Sequence, residues 1–213
     1  MITIAVPTGT LLQGSLELLS AAGLAGVGPG ELGRRLVLRP SDELTLVTVR
    51  PLDVTAYVDH GSADLGIVGK DSLWETRRVH YELLDLAFGH CRLVMAVPEE
   101  SPVAEREGWP PFLRVATKYT GAASAYFRGL GQEVELIKLY GSVELAPLLG
   151  LADAVVDLTA TGTTLRENRL REVAEVGRST ARLIANQVSL RTRGDEVQAA
   201  VARIRDAVAG RAA

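Results

Sequence analysis

Asp153-Ala154-Val155-Val156-Asp157-Leu158-Thr159-Ala160-Thr161-Gly162-Thr163-Thr164-Leu165 is the stretch whose reading decides the fold. Its apolar run between two acids reads as a buried strand, the hydroxyl-rich residues around one glycine as a loop, and Leu165, Arg166 and Leu170 as a helix to follow. A glycine lets backbone approach a ligand closely, and the free N–H groups of a helix start point at anions. Threonine hydroxyls add donors without adding charge. Thr159, Ala160, Thr161, Gly162, Thr163 and Thr164 therefore form a candidate phosphate cradle, and Asp157, at the strand end, is placed to accept hydrogen bonds from sugar hydroxyls. The same residues also suit ordinary turn chemistry, with Thr163 or Thr164 as a helix cap worth about 0.5–2 kcal/mol.

Outward from this segment the chain alternates strands and helices. Ile2 to Val6, Leu44 to Val49, Ala63 to Asp71, Cys91 to Val97, Leu113 to Ala116, Val134 to Leu139 and Ala181 to Leu190 read as strands. Arg34 to Leu38 reads as the hairpin partner of Leu44 to Val49 across Asp42 and Glu43, and Val173 to Val176 as a further short apolar segment. Helices are expected at Leu11 to Ala22, Arg50 to about Asp59, Gly121 to Arg128, Ser142 to Leu149 and Asp195 to about Ala209, the last opened by a capping box of Asp195 and Gln198. The polar passage Pro98 to Pro111 is expected to carry the chain between domains. The division that follows is a first α/β lobe of residues 1–95 plus 183–213 and a second of 96–182.

Composition narrows the function. The 213 residues are 47% hydrophobic, enough for a proper core, and 23 basic against 26 acidic residues give a net charge of −3 with no basic block. Nucleic-acid binding is not expected from that balance. The single cysteine, Cys91, excludes an intrachain disulfide and reads as buried, while His60, His80 and His90 lie too far apart for zinc-ligand spacing, so no protein-built metal site is expected. Met1 to Val6 enters a strand with no charged leader, and no apolar stretch approaches a membrane span, so a cytoplasmic protein without membrane contact is expected.

Further candidate residues stand where expected strands end: Gly9 and Thr10, Arg50, Lys70 with Asp71, and Lys118, with Glu144 near a helix start. Lys70 and Lys118 can be surface lysines as well as phosphate contacts, and Glu144 can serve the helix dipole alone.

Five segments in order resemble the ATP phosphoribosyltransferases that begin histidine biosynthesis. They are Arg50-Pro51-Leu52-Asp53-Val54, Gly61 to Asp71, Arg114-Val115-Ala116-Thr117-Lys118-Tyr119, Gly141 to Pro147, and the opening Asp153 to Leu165. The resemblance implies a two-lobed α/β fold like type II periplasmic binding proteins, with ATP and phosphoribosyl pyrophosphate in a cleft between the lobes. It implies Asp157 as the catalytic residue, magnesium carried mainly on substrate phosphates, and the short form of the family. Short forms look to a regulatory subunit resembling histidyl-tRNA synthetase, so a homodimer within a hetero-oligomer is expected. The chain departs from the family at Pro7-Thr8-Gly9-Thr10-Leu11, where lysine and arginine usually flank the glycine; Arg50 or backbone N–H groups are left to compensate. A reading from another class, a non-catalytic two-lobed binding protein or sensor for a small anion, draws its support from those missing charges.

Overall fold

The computed structural model describes residues 1–28, 35–76, 79–105 and 109–212. The chain divides into two compact units, Met1–Gly89 with Thr180–Ala213, and His90–Ser179. The expected boundaries near 95 and 182 are thus displaced, because the strand Cys91–Pro98 pairs entirely within the second unit's sheet. The passage after Pro98, expected to join domains, lies inside the second unit.

The first unit is built on a six-stranded sheet in the order β2-β3-β1-β4-β11-β5. The strands are β1 (Ile2–Pro7), β2 (Val37–Ser41), β3 (Leu44–Val49), β4 (Leu65–Gly69), β5 (Tyr81–Asp85) and β11 (Ala181–Ala185). β3, β1 and β4 run parallel, and β2, β11 and β5 are antiparallel to their neighbours. Alternation along β1 sends Ile4 and Val6 to one face, where Leu16 and Leu19 of the helix Leu12–Ala21 and Val197, Val201 and Ile204 of the helix Gly194–Ala212 cover them. Ala5 faces the other way, onto Val54 and Val58 of the helix Val54–Asp59. Helices on both faces explain why these strands read as continuous apolar runs.

The second unit carries a five-stranded sheet in the order β10-β6-β9-β7-β8. Its strands are β6 (Cys91–Pro98), β7 (Leu113–Thr117), β8 (Val134–Lys138), β9 (Ala154–Thr159) and β10 (Leu170–Ser179). β8, β7 and β9 are parallel, and β6 runs against both β9 and β10. Ala146 from the helix Leu145–Leu148 and Leu165 from the helix Thr163–Glu167 pack with Val94, Ala116 and Val155 on one face.

Several expected elements change. Arg34 lies outside the described residues, and the hairpin strand runs Val37–Ser41. The strand expected through Asp71 stops at Gly69, where the helix Lys70–Glu75 begins. Leu170 opens a strand of ten residues rather than continuing a helix. The run expected as strand to Leu190 bends at Asn186, whose side chain accepts a hydrogen bond from the Ser189 N–H at 2.9 Å and starts the helix Gln187–Thr192. Cys91 is half-buried rather than buried, and β5 was not foreseen. His80 is held on both ring nitrogens, by Asp59 at 3.1 Å and Thr76 at 2.6 Å. Among the described residues no helix is long and apolar enough to cross a membrane.

Candidate functional site

In a parallel sheet all strands deliver their next residues to the same edge, and ligands gather there. β7 ends at Thr117 and so presents Lys118, while β9 ends at Thr159 and so presents Asp157 near its tip and the threonine loop beyond it. Glu144 stands in the N-cap position of the helix Leu145–Leu148, on the face of the sheet that Val155 shares.

The Asp157 carboxyl is half-buried and pushed above the usual carboxylate range, first by its burial, with the charge of Glu144 adding to the effect. The Leu158 backbone and the Lys118 charge pull the other way. Lys118 and Glu144, drawn from two other segments, therefore both lie close enough for Asp157 to feel their charge. The Lys118 ammonium rests 5.8 Å from the centre of the Tyr119 ring.

The loop is ordered by its own groups. The Gly162 N–H donates to the Thr159 hydroxyl at 2.7 Å, and the Thr161 and Thr163 hydroxyls are 2.9 Å apart. Gly162 caps the helix Thr163–Glu167 with φ 75°, a left-handed backbone that glycine adopts without strain. Ala160, Thr161, Thr163 and Thr164 are exposed, whereas Thr159 is buried. Arg166 turns back over the loop, one guanidinium nitrogen donating to the Thr161 carbonyl at 3.1 Å and the other to the Thr163 hydroxyl at 3.2 Å. The helix is a single turn, so its dipole adds little, and positive charge at this loop comes from Arg166. The sequence shows an arginine at this position but not the direction of its side chain.

Thr117 is a second residue that sequence reading did not single out. Fully buried, it donates its hydroxyl hydrogen to the Val156 carbonyl at 2.6 Å and accepts from the Tyr119 N–H at 2.9 Å. A threonine at the end of a strand-like run reads simply as a strand former.

In the first unit, β3, β1 and β4 are likewise parallel, and their ends bring together Arg50, the Gly9–Thr10 turn and Lys70. The Thr8 N–H donates to the Val49 carbonyl at 2.8 Å and ties two of these ends. Gly9, Thr10 and Arg50 are exposed. Gly9 has φ 82°, and no atom lies within 4 Å of where a β-carbon would stand, so the turn is open on that side. Lys70, the first residue of its helix, is ion-paired with Glu82, which also receives Arg182 at 3.2 Å. Asp71 is buried in the first turn of that helix, with the Ser72 hydroxyl 3.4 Å away. The expected residues thus form two sets, one on each unit, each at the carboxyl edge of its parallel strands.

A family model described as ATP phosphoribosyltransferase matches residues 50–206. The chain is 49% identical over 204 residues to an ATP phosphoribosyltransferase of Rubrobacter xylanophilus, covering 94% of each protein. It is 42% identical to that of Carboxydothermus hydrogenoformans, covering 98% of this chain and 95% of the other. Among solved structures, an ATP phosphoribosyl transferase (HisG:HisZ) complex from Thermotoga maritima superimposes with a TM-score of 0.83 at 30% identity, covering 99% of this chain and 100% of that one. The periplasmic aliphatic sulphonate binding protein SsuA of Escherichia coli matches with a TM-score of 0.59 at 16% identity, over 98% of this chain and 72% of the other. That second likeness concerns the fold alone, and it agrees with the expected two-lobed architecture of type II periplasmic binding proteins.

Proposed function

This chain belongs to the ATP phosphoribosyltransferase family, and from that membership we propose how its residues carry out the transfer. The phosphoribosyl group of phosphoribosyl pyrophosphate passes to N1 of the ATP adenine, giving phosphoribosyl-ATP and pyrophosphate, the first step of histidine biosynthesis. The observation that carries the residue assignment is Asp157, half-buried at a strand end beside the Thr159–Thr164 loop and within the electrostatic reach of Lys118 and Glu144.

Adenine N1 already owns a lone pair, so the attack asks for no strong base. The N1–C1 bond forms as the bond from C1 to the pyrophosphate oxygen breaks, and its electron pair leaves with pyrophosphate. Positive charge grows on the ribosyl group and negative charge on the leaving group, and the protein's contribution is orientation and fixed charge. Asp157 accepts from ribose hydroxyls and, as a carboxylate in a poorly solvated place, favours the cationic ribosyl group. Thr161, Gly162, Thr163 and Thr164 hold the 5′-phosphate with Thr159 and Ala160 shaping the turn, and Arg166 supplies charge behind them. Lys118 and Glu144 orient the groups around Asp157. In the first unit Gly9, Thr10, Arg50 and Lys70 face the polyphosphate chains, with Asp71 bracing the turn that carries Lys70.

Among the described residues there is no group of three or more His, Cys, Asp or Glu side chains able to hold a metal ion. We assign Mg2+ to the substrate phosphates, since this ion keeps most of its ligands from phosphate and water. Bound there, the ion would supply positive charge to the pyrophosphate leaving group. A second, regulatory subunit of the HisZ kind is the partner we assign, on the strength of the Thermotoga maritima complex, and the cytoplasm, where ATP is available, is the compartment. A non-catalytic anion-binding role is not favoured, because the binding-protein neighbours share fold only.

Pyrophosphate release tests this reading with Mg2+, ATP and phosphoribosyl pyrophosphate, each omitted in turn, with and without a HisZ-type subunit. Release that requires both substrates is the expected outcome. Folded protein silent in every mixture counts against the transfer.

A further inference from the structure

We propose that Thr117 is a positioning residue for this transfer, its buried hydroxyl holding the backbone that carries Lys118 in register with the backbone that carries Asp157. The inference rests on the reading above and extends it to a residue that touches neither substrate.

The backbones of three strands are joined at Thr117, where β7 and β8 end and β9 continues. Its hydroxyl donates to the carbonyl of Val156, the residue before Asp157, at 2.6 Å. The same oxygen accepts from the N–H of Tyr119, the residue after Lys118, at 2.9 Å. Its own carbonyl accepts from the Leu139 N–H at 3.0 Å, closing the end of β8. The regular register of β7 with β9 ends at Thr117 opposite Val156, while β9 runs on to Thr159. The hydroxyl is thus a cross-strand tie where the ladder stops, directly under the two residues whose relative placement the chemistry needs. The residue is 0% exposed, so water cannot replace either bond when the hydroxyl is removed. Lys118 and Asp157 feel each other's charge, together with that of Glu144, so a shift of either turn changes how firmly Asp157 holds its ionised form.

Valine has nearly the shape of threonine without the hydroxyl, and serine keeps the hydroxyl without the methyl. For Thr117→Val, kcat is expected to fall about 10–100-fold while KM for both substrates moves by less than about threefold, because orientation rather than contact is lost. The acid limb of the rate profile is expected to move to higher pH as Lys118 stops helping Asp157 to ionise. Thr117→Ser is expected to stay within about threefold of the parent chain. All three proteins are compared in the pyrophosphate assay and by thermal melting. If Thr117→Val does not fold, Thr117→Cys, with a weaker donor, replaces it and is expected to fall between Ser and Val. A folded Val variant with the parent's kcat and pH profile, or a Ser variant as slow as Val, overturns the proposal. A parent chain that releases no pyrophosphate overturns the functional reading beneath it instead.

Discussion

Asp157 carries a cost that its position makes legible. Burial disfavours its charge, so its carboxyl titrates above the usual range. A folded-state pKa raised above the unfolded value means that ionisation penalises the fold. The penalty is present above the folded pKa and disappears as pH falls below the unfolded one. Asp157→Asn is therefore expected to melt no lower than the parent at pH 7.5, while kcat drops by about 10²–10³ for loss of one preorganised charge. In the parent chain the rate should decline as pH falls through that raised value, and the Asn variant should lack this limb. Initial rates and melting curves across pH decide the matter; a variant that melts several degrees lower yet turns over normally would sink the assignment. Asp157 and the threonine loop were visible in the sequence because strand, glycine and hydroxyls are contiguous there. Arg166 and Thr117 were not, since each acts through the direction of a side chain across a turn or a neighbouring strand.

Elements pack at Gly66 as closely as backbone allows. A β-carbon there would stand 2.7 Å from Val58 Cγ2, 2.8 Å from Val54 Cγ1 and 3.4 Å from Ile184 Cγ1. Valine side chains on a helix have little rotamer freedom to yield, so the helix Val54–Asp59 itself must shift. Gly66→Ala is expected to destabilise by about 1–3 kcal/mol through overpacking. Urea unfolding measures it, and an unchanged midpoint refutes the close approach. The alternating pattern of the sequence yields most of the strands that build both sheets, because buried parallel strands announce themselves as apolar runs. It fails where an apolar run spans two elements: Ala181 to Leu190 contains β11 and a helix, and only the Asn186 cap separates them. It also misses β5, whose residues are exposed or half-buried and whose neighbour in the sheet is some hundred residues further along the chain.

At the scale of the molecule, the first unit is closed by charge as well as by apolar packing. Asp64, 4% exposed, accepts from the Thr3 N–H at 2.8 Å and the Ser189 hydroxyl at 2.6 Å, and is ion-paired with Arg193, which also reaches the Met1 carbonyl at 2.7 Å. Asp64→Ala strands all of these donors around one buried point. We expect a loss of about 2–4 kcal/mol, reaching lower than for a wholly buried pair because Arg193 is partly exposed. A denaturation midpoint within error of the parent would show that the network is dispensable. Each of its partners outside the first few residues comes from beyond residue 180, after the second unit has been traversed. During synthesis, then, the ribosome releases the opening part of the first unit, next the whole of the second, and last the piece that completes the first. β5 is joined to its sheet through β11, so a chain made only as far as residue 180 contains every strand of the second unit and a β5 strand still without its neighbour. The second unit is thus written without interruption, and the first is completed only when β11 and the helices after it are added.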